Sequence, residues 1–256
     1  MWGRFEWCWR LLMTGWLFIL FGSGGLALSL VWFNLLLLFV RDSGKRREIA
    51  RRSIAASFRL FLRIGRLLGV FDYRFENCEE LAEDRGCLIV ANHPTLLDYV
   101  FIASRAPHIG CLVKASLVNN PCFRGVIKAA DYLVNSQGET LLPESQKRIA
   151  AGEAILIFPE GTRTRPGEPL VIQRGAANIA VRCGCDLRLV HIHCDQRYLD
   201  KYSRWYQIPQ RKPMITVSVK QRIASQSFMA NQDDAPTIAA RRLSQYLCQE
   251  LVPDAR

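Results

Sequence analysis

His93 and Asp98 stand in the run Asn92-His93-Pro94-Thr95-Leu96-Leu97-Asp98. An imidazole titrates near neutral pH, so it can take a proton from a hydroxyl and return it later. A carboxylate against the other ring nitrogen fixes the tautomer and stabilises the charged ring. Residues at this spacing do not share a face of a continuous helix. The pair can form only if the chain bends at Pro94. Taken alone, the fragment reads equally as a polar turn with a capping residue.

A second run, Phe158-Pro159-Glu160-Gly161-Thr162-Arg163, has anion-binding chemistry. Glycine permits a tight turn with exposed amides. The guanidinium of Arg163 is a planar fork that suits phosphate. Thr162 and Thr164 add hydroxyl donors, and Arg165 and Arg174 add positive charge. The two runs could face each other across one cleft, one holding a base and the other an anion.

Strand ends are the elements that can present both. Residues 87–91 are an apolar run just before Asn92, and residues 154–158 are another just before Pro159. Such runs suit strands buried on both faces. Residues 109–113, 187–193 and 214–219 also read as strands. Residues 97–104, 144–151, 176–182 and 236–251 read as helices. Proline suits a first helical position, so a helix is expected to open at Pro94. The alternation predicts an α/β fold, a largely parallel mixed sheet flanked by helices. In such sheets, sites lie outside the carboxyl ends of the strands.

Residues 11–40 contain no charged side chain. The run is longer than the apolar region of a cleaved signal peptide, about 7–15 residues. It therefore predicts a retained membrane-embedded segment. Gly22, Gly24 and Gly25 weaken a helix at its middle. Either one tilted span or a hairpin of two short helices folded at these glycines follows, and the length of each arm favours the hairpin. Arg41, Lys45, Arg46, Arg47, Arg51 and Arg52 follow the segment, so the positive-inside rule puts the downstream domain in the cytoplasm, at the inner membrane if the source is bacterial. Residues 46–68 pattern as an amphipathic helix with arginines at 47, 51, 59, 63 and 66. It lies on anionic headgroups or packs on the domain core, and the two are not exclusive. The expected division is a membrane-attached part over 1–68 and an α/β domain over 69–256.

The 256 residues carry a formal charge of +11, and half are hydrophobic. That excludes wholesale disorder and favours an anionic partner. Nine cysteines without a repeated spacing are not a disulfide framework. Cys183, Cys185, His191, His193 and Cys194 match no common zinc spacing. Ser136 and Ser145 lack a nucleophile motif, and neither a Gly-x-Ser-x-Gly elbow nor a phosphate loop is present. A non-enzymatic basic membrane or nucleic-acid binder fits the charge but leaves both motifs unexplained.

Asn92-His93 with Asp98, followed by Phe158-Pro159-Glu160-Gly161-Thr162-Arg163, resembles the glycerolipid acyltransferase family over about residues 70–225. The resemblance implies a membrane-bound O-acyltransferase that needs no metal and no cofactor. In it, His93 is the general base and Asp98 orients it. The donor is acyl-CoA or acyl carrier protein, and the acceptor is a lysolipid. In the best-known members the acceptor is 1-acyl-glycerol-3-phosphate and the product is phosphatidic acid. No nucleic acid is involved. The second signature implies that Glu160, Gly161, Thr162 and Arg163 meet the acceptor headgroup. Lys114 matches a basic residue often found after the next strand, and Gln173-Arg174-Gly175-Ala176 matches a following basic segment. Two stretches depart from the pattern. Asn135 stands where the family's middle motif has an arginine, and Leu189-Val190-His191-Ile192 lacks the usual proline. The alternative acceptor is therefore a non-glycerophosphate lipid such as lyso-ornithine lipid.

Overall fold

The run Leu88-Ile89-Val90-Ala91 becomes β2 (Leu88–Ala91), and every one of its residues is buried. Leu88 and Val90 enter one apolar cluster while Ile89 and Ala91 enter another. That split is the two-residue period of a strand covered on both faces. The computed structural model describes residues 2–135, 138–164, 168–229 and 235–252. Ser136 and Arg165 lie outside the described residues.

On one side β2 pairs in parallel with β5 (Ile155–Ile157), which pairs with β3 (Gly110–Lys114), which pairs with β4 (Leu133–Asn135). On the other side lies β6 (Leu187–Cys194), then β7 (Met214–Ile223), then β1 (Asp72–Glu76). The seven-stranded order is β1-β7-β6-β2-β5-β3-β4, and only β6 and β7 run antiparallel. The expected mixed α/β sheet is present. Strands β1 and β4 and helix α5 (Pro121–Ala130) were not among the elements the pattern predicts.

On one face α7 (Gly175–Cys183) and α8 (Pro236–Glu250) cover Leu88, Ile155 and Leu187. On the other, α3 (Ser43–Leu67) packs against α4 (Asp98–Arg105) and α5. Phe71 and Phe101 are fully buried here, edge to face, with ring centroids 6.2 Å apart. The tip of the Phe71 ring also sits against Gly65, where an added Cβ would stand 2.3 Å from its Cζ.

The arginines of α3 are largely occupied by the protein. Arg51 is 5% exposed. It pairs with Glu153 at 2.6 Å and donates to the carbonyls of Ala130 and His108. Arg47 pairs with Asp131, Arg59 donates to Ser104 O, and Arg66 pairs with Asp72. Packing on the domain is thus what the helix does, with Leu60 and Leu67 left exposed.

The hairpin folded at the glycines is not formed. Helix α1 (Trp2–Ala27) runs through Gly22, Gly24 and Gly25, continues as a π-helical turn over Leu28–Trp32, and ends as α2 (Phe33–Phe39). The glycines lose little because the run is supported laterally by α3 and α5. At Gly125 of α5 an added Cβ would stand 2.5 Å from Ser29 Cβ, so the Ser29 side chain of the π turn packs directly on the α5 backbone. The chain reverses only at Val40–Asp42, where Asp42 caps α3 by accepting from Lys45 N–H at 2.6 Å. Residues Gly3–Phe39 are long and apolar enough to cross a membrane, and Leu37, Leu38 and Phe39 are exposed.

Candidate active site

Beyond β2 the chain is fastened to β6 by a side chain. Asn92 donates to Ile192 O at 2.8 Å and accepts from Ile192 N–H at 2.7 Å. Satisfying both groups of a strand residue, buried Asn92 extends the ladder past the last backbone pair. This role went unforeseen, although Asn92 sits in the motif.

The next residues do not continue into a helix. Thr95 N–H donates to Asp98 Oδ2 at 2.7 Å, and Thr95 Oγ1 donates to Asp98 Oδ1. Leu96 N–H donates to Leu199 O at 3.0 Å. With those amides committed, α4 starts at Asp98, within one residue of the helix expected over 97–104, and the opening expected at Pro94 is not formed. The loop so formed carries the imidazole back over the carboxylate. His93 Nδ1 and Asp98 Oδ2 are 2.7 Å apart. The Asp98 side chain is fully buried, whereas that of His93 is 22% exposed. Burial pushes the Asp98 carboxyl above its ordinary value, against the His93 and Thr95 hydrogen bonds that favour the anion. Phe158 stacks on the imidazole, with centroids 4.3 Å apart. His93 Nε2 has no hydrogen-bond partner among the described residues.

Because β5 lies parallel beside β2, the second motif emerges at the same sheet edge. It grips His93 by the backbone. Glu160 Oε1 accepts His93 N–H at 2.7 Å, and Thr164 N–H donates to His93 O at 3.0 Å. Gly161, at φ 66°, closes the turn that makes this possible, its N–H donating to Phe158 O at 3.0 Å. Glu160 is only 5% exposed. Burial raises its carboxyl, while Thr164 and the His93 amide pull it back. Glu160 Oε1 is thus engaged by the His93 backbone, and the side chain is buried where Gly161 and Thr162 beside it are exposed.

Arg163 Nη1 donates to Leu199 O and Asp200 O, each at 2.9 Å. The guanidinium is thus held against the loop after β6, with one edge committed. Gly161 and Thr162 are exposed on the turn. Lys114 ends β3 at the same sheet edge, exposed and in register with Asn135 of β4. Arg174 is exposed just before α7. Neither of these two is drawn into the His93–Asp98 cluster. The assembly offers an oriented, partly exposed imidazole beside a turn rich in donors. It can remove a proton from a hydroxyl.

Residues 72–193 match the family described as Acyltransferase. The 1-acyl-sn-glycerol-3-phosphate acyltransferase of Borreliella burgdorferi is 27% identical over 130 residues, 48% of this chain. The aligned part spans about half the length of that relative, 52%. The crystal structure of the 1-acyl-sn-glycerophosphate (LPA) acyltransferase PlsC from Thermotoga maritima superposes with a TM-score of 0.68. That match covers 96% of this chain and 98% of the other at 19% identity, so it speaks to the fold.

Proposed function

We propose, on the match of residues 72–193 to the Acyltransferase family, that the chain is a member of that family and a membrane-bound enzyme moving a fatty acyl group from a thioester to the hydroxyl of a lysolipid. The donor is acyl-CoA or acyl carrier protein, and the acceptor is 1-acyl-glycerol-3-phosphate, giving phosphatidic acid. The observation that carries this reading is the His93–Asp98 contact at 2.7 Å. Behind it, the second motif binds both backbone groups of His93.

The reaction proceeds as follows. His93 Nδ1–H donates to Asp98, which leaves Nε2 unprotonated and able to accept. Nε2 takes the proton of the acceptor hydroxyl as its oxygen attacks the thioester carbon. Asp98 stabilises the imidazolium. The carbon–sulfur bond breaks, the ester forms, and the proton passes from His93 to the departing thiolate. A thioester is already an activated donor, so general-base help of about 10²–10⁴-fold together with positioning suffices. Arg163, Lys114, Arg174 and the exposed Gly161–Thr162 turn receive the anionic headgroup. Glu160 acts behind His93 as a positioning residue. Residues 1–68 hold the enzyme at the membrane and residues 69–256 carry the chemistry, on the cytoplasmic side.

A second acceptor is supported by one observation. Asn135, not an arginine, stands beside Lys114 at the end of β4. A non-glycerophosphate lysolipid such as lyso-ornithine lipid suits that weaker charge. The test is a panel of lysolipids with labelled acyl-CoA and acyl carrier protein donors, read by mass spectrometry. A labelled phosphatidic acid product, lost in His93→Ala, supports the first reading. Product from an ornithine lipid alone supports the second. No product from any acceptor overturns both.

A further inference from the structure

Residues 195–213 join two adjacent antiparallel strands, β6 and β7. Such neighbours usually need only about 2–5 residues, and longer structureless loops tend to carry function. This one presents Tyr202, Trp205 and Tyr206, which are 57%, 48% and 41% exposed. Around them stand Arg197, Lys201, Arg204, Arg211 and Lys212. Its two acids are both engaged by the protein's own donors. Asp200 is buried and accepts the amides of Tyr202 and Ser203, and Asp195 accepts from Met214 N–H. A cleft of about 750 Å³ opens on the loop, lined among others by Arg197, Gln207, Ile208 and Arg211.

The loop is fastened to α1. Trp7 Nε1 donates to Ile208 O at 3.4 Å, and Arg10 donates to the carbonyls of Pro209 and Gln210. The Trp205 ring covers Gly15, where an added Cβ would stand 3.1 Å from Cζ3. Phe18 lies beside it, ring centroids 6.4 Å apart. Trp7 and Arg10 lie in the first part of α1, which carries tryptophans and charges, while Gly15 and Phe18 lie just inside the uncharged run that follows. Tryptophan and tyrosine concentrate at the membrane–water interface, and basic side chains are drawn to anionic headgroups.

We propose that residues 195–213 are a second membrane-contact element, docking on the headgroups of anionic phospholipids alongside α1. Tyr202, Trp205 and Tyr206 enter the interfacial layer, while Arg197 and Arg211 meet headgroup phosphates. An acidic protein partner would match the charge, but not three exposed aromatics aligned with a long apolar helix. The loop is also tied to the candidate active site. Leu199 O, at a residue with φ 49°, accepts both Leu96 N–H and Arg163 Nη1.

The test uses the full chain and needs no turnover. Subtracting the emission of Trp205→Phe from that of the wild type isolates Trp205. The protein is placed in vesicles of phosphatidylglycerol and phosphatidylethanolamine, or of phosphatidylcholine alone, each brominated high on the acyl chains. Strong quenching of Trp205 in the anionic vesicles and weak quenching in phosphatidylcholine is expected. The double variant Arg197→Gln, Arg211→Gln should lose that preference while keeping wild-type emission in detergent. Equal quenching in both compositions, or full access of iodide to Trp205 in the anionic vesicles, overturns the proposal. So does protection of Trp205 from iodide by acidic acyl carrier protein without vesicles. His93→Ala protein should behave as the wild type does, so this result stands apart from that of the acyl-transfer assays.

Discussion

Glu160 Oε1 accepts the backbone N–H of His93 at 2.7 Å, across a separation of 67 residues in the chain. The carboxylate of the second motif therefore fastens the backbone of His93, the residue proposed as the base. Glu160→Gln keeps an accepting oxygen and should keep most of the turnover. Glu160→Ala leaves a buried amide unpaired, which costs about 1–3 kcal/mol. Its kcat should fall while the KM for the lysolipid stays near the wild-type value. Steady-state kinetics on both variants decide this; a selective rise in acceptor KM would return Glu160 to the headgroup.

The same residue gives a pH signature. Burial holds the Glu160 carboxyl above its ordinary value in the folded chain. Its contribution to stability is thus fully present below the unfolded value of about 4.3 and is lost as pH rises through the raised folded value. Glutamine does not titrate. The stability of Glu160→Gln relative to the wild type should therefore grow as the pH is taken from about 4 to 7. Denaturant unfolding at several pH values measures it, and a gap that shrinks over this range would contradict the stated direction.

His93→Ala should abolish acyl transfer in a protein that still folds and sediments with membranes. Asp98→Asn should lower kcat strongly, because an amide presented to Nδ1 no longer enforces the tautomer that leaves Nε2 free. Substrate KM values should change little. Turnover close to wild type in purified Asp98→Asn would dissolve the pair as a functional unit.

Arg163→Ala removes two charge-assisted hydrogen bonds to Leu199 O and Asp200 O. It also removes the guanidinium edge proposed to meet the acceptor headgroup; one bond to a charged group is worth about 1.5–3 kcal/mol, so a loss of tenfold or more in kcat/KM is expected. The effect should fall on the acceptor and not on the thioester. Varying each substrate in turn separates the two.

Gly65→Ala places a methyl 2.3 Å from the buried Phe71 ring. Overpacking of this kind costs about 1–3 kcal/mol. The variant should unfold at lower temperature by calorimetry, with kcat unchanged in the fraction that remains folded.

Much of the α/β frame was legible because Leu88–Ala91 and Ile155–Ile157 are apolar on both faces, a pattern that marks central strands. Strand β1 was not, because Asp72-Tyr73-Arg74-Phe75-Glu76 lies at the sheet edge, where two of its five residues are exposed and none is buried. The bend joining His93 to Asp98 was foreseen as a condition. Its cause was not, since it lies in Thr95 and in the Leu199 carbonyl a hundred residues downstream. The inward role of Glu160 was hidden for a like reason: only the parallel pairing of β2 and β5 brings it under the histidine. The glycines at 22–25 misled because local propensity was outweighed by lateral packing on α5.

The Ser29 side chain sits directly against Gly125, where no larger residue fits, so the long N-terminal helix and α5 are held in register. On the proposed function, lipid thickness would act on the reaction mechanically. A bilayer that tilts the helix to relieve hydrophobic mismatch would carry α5 and the domain with it and change how the imidazole stands relative to the membrane surface. The acyl-chain composition of the host membrane would then become a governor of the rate, with no effector bound.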